Sequence, residues 1–129
     1  MNHHSEATLH QQLCDYLRLQ YPDVIFRSDV AAGIKLTIGQ AARHKKLQSS
    51  RAYPDLFIAE PRHNYHGLFI ELKAEGAGLY KKDGTLIANA HIQEQHDMLI
   101  GLVRRGYRAV FAQGFENAQC VIDEYLGSV

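Results

Sequence analysis

The fold of this chain is decided by residues 68–73, which read Leu68-Phe69-Ile70-Glu71-Leu72-Lys73. Apolar residues flank both charged residues, a pattern that predicts a buried β-strand. Successive side chains of a strand point to opposite faces, so Glu71 and Lys73 share one face. Buried ionised groups are costly unless something nearby compensates them, and the strand therefore needs a compensating charge.

A second acid, Asp55, precedes another apolar run. Residues 56–59 read Leu-Phe-Ile-Ala and predict a strand. We expect this strand to pair with residues 67–73 as a hairpin, which would bring Asp55 close to Glu71. Two adjacent carboxylates repel unless one is protonated or a cation lies between them. Mg²⁺ fits, bound by both acids, waters, the Leu72 carbonyl oxygen and a substrate phosphate oxygen, and Mn²⁺ is the expected substitute.

This arrangement predicts hydrolysis of a phosphodiester. The metal would neutralise charge on the phosphate, and Lys73 would lie beside the attacking water. The chain has no Walker-type glycine-rich loop and no serine or cysteine in a recognisable nucleophilic context. Nucleotide hydrolysis, a nucleotide cofactor and covalent catalysis are therefore disfavoured.

Hydrophobic periodicity predicts the remaining elements. A first helix is expected over residues 6–20, with Ser5 as its N-cap, and a second over residues 91–105. Strands are expected at 24–26 and 107–112, and a final helix follows. Buried positions expected on the helices are Leu9, Leu13, Tyr16, Leu17, Ile92, Leu99, Leu102, Val103, Ala118, Val121, Ile122 and Tyr125. The expected fold class is α/β, a small mixed β-sheet flanked by α-helices.

Composition limits the classes of protein. The 129 residues match one domain, and no apolar stretch approaches the length of a membrane span. The N-terminal residues lack a secretory pattern, so we expect a cytoplasmic, intracellular protein without membrane contact.

Cys14 and Cys120 are expected to be reduced core thiols. Fourteen basic residues balance fourteen acidic ones, so any affinity for nucleic acid must be local.

Basic clusters and histidines offer further candidates. The strongest basic cluster contains Arg43, Lys45, Lys46 and Arg51, with His44 as a candidate phosphate contact. For each basic residue the alternative is a solvated surface charge. Eight histidines raise the question of a zinc site, but their spacing does not match that of zinc ligands. We therefore expect a surface location for the histidines other than His44, among them His3, His4, His10, His91 and His96.

Four segments in this order resemble the virus-type replication-repair nuclease (VRR-NUC) family of the PD-(D/E)xK nuclease superfamily. They are Ser5-Glu6-Ala7, Tyr53-Pro54-Asp55-Leu56, Phe69-Ile70-Glu71-Leu72-Lys73, and Gln95 followed by Leu99, Leu102 and Gly106-Tyr107. The resemblance implies a restriction-endonuclease-like core. It also implies that Asp55 and Glu71 bind metal, that Lys73 assists the water, and that Glu6, as a further metal ligand, and Gln95 complete the site.

The resemblance also implies a function. We expect a Mg²⁺-dependent DNA endonuclease that cuts branched DNA such as junctions, works as a homodimer and serves DNA repair, with a viral or phage origin as one expectation. The alternatives are a sequence-specific restriction-type nuclease and a non-catalytic nucleic-acid-binding subunit.

Three of the proposed site residues have alternatives. Glu6 falls in register with the apolar stripe of its helix, but an acid in the first helical turn also favours the helix dipole. Gln95 has Gln93 as a rival for its role. Asp29 is a candidate for contact with the metal or DNA, and a loop-capping role is equally expected.

Residues 76–90 depart from the shorter family pattern. The turn signal Asp83-Gly84 predicts a projecting hairpin that leaves the core. We expect this insertion to contact DNA or a second subunit, since Lys81 and Lys82 lie near its tip. Residues 29–50 have mixed character and receive no element.

Overall fold

The computed structural model describes residues 6–29, 31 and 34–127. These residues form a mixed β-sheet flanked by helices. The elements are α1 (Glu6–Gln20), β1 (Phe26–Ser28), α2 (Ile38–Lys46), β2 (Leu56–Ile58), β3 (Leu68–Lys73), α3 (Ala90–Arg104), β4 (Arg108–Gln113) and α4 (Gly114–Leu126). The strand order is β1-β2-β3-β4, antiparallel except between β3 and β4, which are parallel. The predicted α/β fold class is confirmed.

The stretch that decides the fold is an inner strand of the sheet. Residues 68–72 of β3 are all buried, because β2 and β4 lie on its two sides and helices cover both faces. Leu56 pairs with Ile70 in an antiparallel register, which confirms the predicted hairpin. β4 follows the crossover through α3, as a parallel neighbour requires.

Two hydrophobic clusters cover the two faces of the sheet. On one face, α1 and α4 pack over the cluster of Leu9, Leu13, Leu17, Leu56, Ile58, Leu68, Ile70, Leu72, Ala112, Ala118, Ile122, Tyr125 and Leu126. On the other face, Phe69 packs with Leu99 of α3 and Ala109 of β4. Glu71 has the same strand parity as Phe69, so its side chain projects on the α3 face. Val103 was expected to be buried, but it is 47% exposed, and that expectation is wrong.

The structure differs from the predicted elements around β1 and α2. The strand expected at 24–26 is instead Phe26–Ser28, because the ladder with β2 runs from the pair Phe26–Ile58 to the pair Ser28–Leu56. The unassigned region contains α2, which starts with a capping box between Thr37 and Gln40. No residue of α2 is buried, so the helix contributes nothing to the core. The predicted N-cap of α1, Ser5, lies outside the described residues.

The predicted hairpin is present, but its base belongs to the core. Tyr80 and Leu86 form an antiparallel bridge, and Gly84 supplies the positive φ of 87° that the turn needs. Leu79 is only 1% exposed. The expectation that the whole segment leaves the core is therefore wrong.

Two predictions from composition concern cysteines and membranes. Cys14 and Cys120 are both free, as expected. Cys14 is partly buried, whereas Cys120 is exposed. The expectation that Cys120 is a core thiol is therefore wrong. Within the described ranges, no helix is long and apolar enough to cross a bilayer.

Candidate functional site

Asp55 directly precedes β2 and reaches across to β3. Its Oδ2 atom accepts a hydrogen bond from the Leu72 backbone N–H at 2.9 Å. Its own carbonyl oxygen accepts one from the Asp29 N–H at 2.7 Å. These two bonds fix the Asp55 carboxylate beside the end of β3 that carries Glu71 and Lys73.

Glu71 is a buried carboxyl whose surroundings disfavour its ionised form. Its side chain is 5% exposed. The pKa of Glu71 is raised to about 10, first by burial, then by the charge of Asp55, a hydrogen bond between the two carboxyls and the charge of Glu6, while Lys73 opposes the increase. At neutral pH the group therefore holds a proton unless a cation replaces it. A divalent cation between Asp55 and Glu71 would remove the repulsion, so these residues fit the predicted metal.

Gln95 of α3 contacts Glu71 directly. Its Nε2 atom donates to the Glu71 Oε2 atom at 3.0 Å, and both side chains are buried. The Gln95 Oε1 atom is also buried and has no hydrogen-bond partner among the described residues. Gln93 is exposed and donates to Asp97 instead. Of the two glutamines, Gln95 is therefore the one that lies at the site.

Lys73 is the last residue of β3 and lies on the same face as Glu71. Its side chain is half-buried, and its ammonium opposes the increase in the pKa of Glu71. A cation that interacts with the Glu71 carboxyl and still reaches solvent can contact a phosphate or a water at the site.

Glu6 and His10 approach the same place from α1. They lie one helical turn apart, and one ligand atom from each lies within 4.8 Å of a ligand atom of Asp55. Glu6 is exposed, whereas His10 is 6% exposed. The expectation that His10 is a surface histidine is therefore wrong, because it is buried and contacts Ser28. The i, i+4 spacing to Glu6 was the one sequence signal that could have identified it.

Two of the predicted DNA contacts are engaged within the chain. The Asp29 Oδ1 atom accepts a hydrogen bond from the Ala31 N–H at 2.9 Å and lies 3.4 Å from the His44 Nε2 atom. This is the loop-capping arrangement that the sequence offered as the alternative for Asp29. The Arg51 Nε atom donates to the Glu94 Oε1 atom at 2.8 Å, so its charge is paired.

A cleft of about 560 Å³ opens between α2 and the β1–β2 edge of the sheet, and Asp55 forms part of its wall. Arg27, Ser28 and His44 also line it. The remaining predicted DNA contacts are exposed on α2 and on the hairpin: Arg43, Lys45, Lys46, Lys81 and Lys82. The helix that carries Arg43, Lys45 and Lys46 thus contributes His44 to a cleft that Asp55 also lines.

Comparison with known proteins places the fold. No family model and no curated protein matches this chain. Two solved chains match it. One of them, described as a VRR_NUC domain protein, is 24% identical, with 98% of this chain and 91% of that chain covered and a TM-score of 0.69. At this identity the likeness establishes the fold, so the predicted resemblance is confirmed at the level of the fold.

Proposed function

We propose that this chain is a metal-dependent nuclease of the VRR-NUC family, and that residues 1–129 form one such domain. The observation that carries the proposal is the convergence of Asp55, Glu71, Lys73 and Gln95 where β2 begins and β3 ends, with the pKa of buried Glu71 raised next to Asp55. The fold shared with a VRR_NUC domain protein supports it.

The proposed metal is Mg²⁺, with Mn²⁺ as substitute. Asp55 and Glu71 would hold it, with Glu6 and the Leu72 carbonyl oxygen as further ligands. When bound, the cation would neutralise charge on the phosphate and make a coordinated water more acidic. The hydrogen bond from the Leu72 N–H to Asp55 fixes the backbone of β3 next to these ligands.

Two side chains would prepare the water that attacks phosphorus. Lys73 would lie beside this water and favour its deprotonated form through its positive charge. Gln95 holds Glu71 with its Nε2 atom and has its buried Oε1 atom left to accept a hydrogen bond from the water. No protein nucleophile is required, since water attacks directly.

The proposed substrate is DNA, with branched DNA and junctions as the preferred form. The exposed charges of α2, Arg43, Lys45 and Lys46, would contact phosphates next to the cleft. Lys81 and Lys82 on the hairpin would contact DNA further from the reacting bond. Symmetric cutting of a junction needs two sites, which a homodimer would provide.

The proposal is tested by incubating the full chain with Mg²⁺ and a panel of linear, nicked, flapped and four-way DNAs. We expect cutting that prefers the branched forms, that EDTA abolishes and that Mn²⁺ restores. Glu71→Gln should lower the cleavage rate at least about 100-fold, because the metal loses one of its ligands. Glu75→Gln, which changes an exposed acid two residues beyond Lys73, is the matched control and should cut like the wild type.

Each other outcome selects a different function. Equal cutting by Glu71→Gln, or cutting in EDTA, would refute the proposed mechanism. Cutting of linear duplex at one sequence would favour a restriction-type nuclease. Binding of branched DNA without cutting in any divalent metal would favour a non-catalytic nucleic-acid-binding subunit.

A further inference from the structure

We infer that His10 is a nitrogen ligand for a divalent transition metal, at a position that it forms with Glu6 and Asp55. The inference deepens the proposed function and rests on it, since Glu6 and Asp55 belong to both metal positions. The imidazole nitrogen of His10 is a different kind of donor from the oxygen ligands of the proposed Mg²⁺ site.

The three donors converge from two elements. Glu6 and His10 lie one turn apart on α1, which places both side chains on one face of the helix. Asp55 comes from the start of β2, and the ligand atoms of all three lie within 4.8 Å of one another. A single ion can therefore contact all three residues after small side-chain adjustments.

The ring of His10 is held with one nitrogen unpaired. The Nδ1 atom contacts the Ser28 Oγ atom, and the Nε2 atom is buried without a hydrogen-bond partner among the described residues. In the neutral tautomer with a proton on Nδ1, this N–H donates to Ser28 and the Nε2 lone pair stays free. Metal-bound histidines are usually oriented in this way, by a hydrogen bond from the nitrogen that does not bind the metal.

The donor set indicates the class of metal. Imidazole nitrogen favours ions such as Zn²⁺, Co²⁺, Ni²⁺ and Fe²⁺, whereas Mg²⁺ prefers oxygen ligands alone. Removal of the His10 nitrogen should therefore weaken the binding of a transition metal and leave Mg²⁺ binding nearly unchanged. Co²⁺ is a suitable probe because it accepts nitrogen ligands and its unpaired electrons shift the NMR signals of bound histidine.

The experiment measures Co²⁺ and Mg²⁺ affinity by calorimetry, together with the NMR spectrum of the Co²⁺-loaded full chain. His3 and His4 are replaced by Gln in every protein, so that they supply no nitrogen ligand. The parent chain should show a shifted, exchangeable N–H signal from the Nδ1 proton of a bound histidine. His10→Gln should lose this signal and bind Co²⁺ at least about tenfold more weakly, with Mg²⁺ affinity changed less than about threefold.

His44→Gln is the matched control, because His44 lines the cleft that Asp55 also lines but lies outside the Glu6–His10–Asp55 cluster. It should keep both the signal and the Co²⁺ affinity. Absence of the signal in the parent chain would by itself overturn the inference. An unchanged Co²⁺ affinity of His10→Gln would also overturn it. Both measurements are made without DNA, so they are independent of the cleavage assay. If the signal is present but the chain does not cut DNA, only the proposed function is refuted. If the chain cuts DNA but the signal is absent, only the role of His10 is refuted.

Discussion

Glu71 links metal binding to protonation, because its carboxyl is buried next to Asp55. Its pKa is raised from 4.5 to about 10 in the folded protein. Between these values the folded state binds a proton that the unfolded state has released. The stability of the metal-free protein must therefore fall as the pH rises through this window. A bound cation reverses the preference, since it requires the carboxylate.

In EDTA we expect a negative slope of the free energy of unfolding against pH above roughly pH 5, of at most about 1 kcal/mol per pH unit. Glu71→Gln keeps the shape of a protonated carboxyl and should remove this slope. Denaturant unfolding at a series of pH values measures it, and Glu75→Gln should keep the slope of the wild type. A Glu71→Gln protein with an unchanged pH profile would show that another group titrates.

Lys73→Ala separates catalysis from binding. We expect the cleavage rate to fall at least about 100-fold with DNA affinity nearly unchanged, because one contact to water or phosphate disappears while the metal ligands remain. Single-turnover rates and DNA affinity are measured in the same buffer. Lys35→Ala, which removes an exposed lysine outside the proposed site residues, is the control. Cleavage at the wild-type rate would exclude the proposed role of Lys73.

Among the elements, α2 carries charge without contributing to the core, since none of its residues is buried. Replacement of Arg43, Lys45 and Lys46 by Gln should leave the melting temperature unchanged and weaken DNA binding. The slope of log affinity against log salt should fall by about 1 for each phosphate that the variant no longer neutralises. Arg104→Gln/Arg105→Gln is the control at the end of α3. Full affinity and slope in the triple variant would rule out α2 as a DNA surface.

The hairpin can be shortened without removal of its buried base. Leu79 is fully buried, and the Ile87 N–H donates to the Leu79 carbonyl oxygen at 3.0 Å. Replacement of residues 80–86 by two glycines should therefore keep the fold and reduce DNA binding or self-association, measured by gel shift and sedimentation. Leu79→Ala in the intact chain should instead cost about 2–5 kcal/mol of stability. A shortened chain with unchanged DNA affinity and oligomeric state would remove any role for the hairpin tip.

Sequence patterns predict the elements that bury apolar residues and miss the one that does not. Helix α1 follows from its apolar periodicity and strand β3 from its apolar run, whereas the visible signal for α2 is the capping box between Thr37 and Gln40. The same limit applies to the site. The spacing of Glu6 and His10 is visible in the sequence, but Asp55 lies at the start of a strand, and only the folded chain brings it within reach of both.

For the whole molecule, neither the balanced net charge nor the concentrated acidic site attracts a polyanionic substrate. Fourteen basic and fourteen acidic residues leave no net attraction to DNA. Glu6, Asp55 and Glu71 gather acidic groups at one place in the fold. A phosphate would be repelled there unless a cation is bound, so we expect metal binding to accompany substrate binding.

We therefore expect divalent cations to stabilise the entire fold. Ca²⁺ shares the oxygen preference of Mg²⁺, and at 100 times its dissociation constant it should add about 2.7 kcal/mol, a rise in melting temperature of roughly 8 °C. EDTA should reverse the rise, and Glu71→Gln should lose most of it, while Glu75→Gln should keep it. Thermal melts over a Ca²⁺ titration measure the effect without DNA. A melting temperature that does not respond to Ca²⁺, Mg²⁺ or Mn²⁺ would mean that these carboxylates form no metal site, because an ion that binds only the folded state must stabilise it.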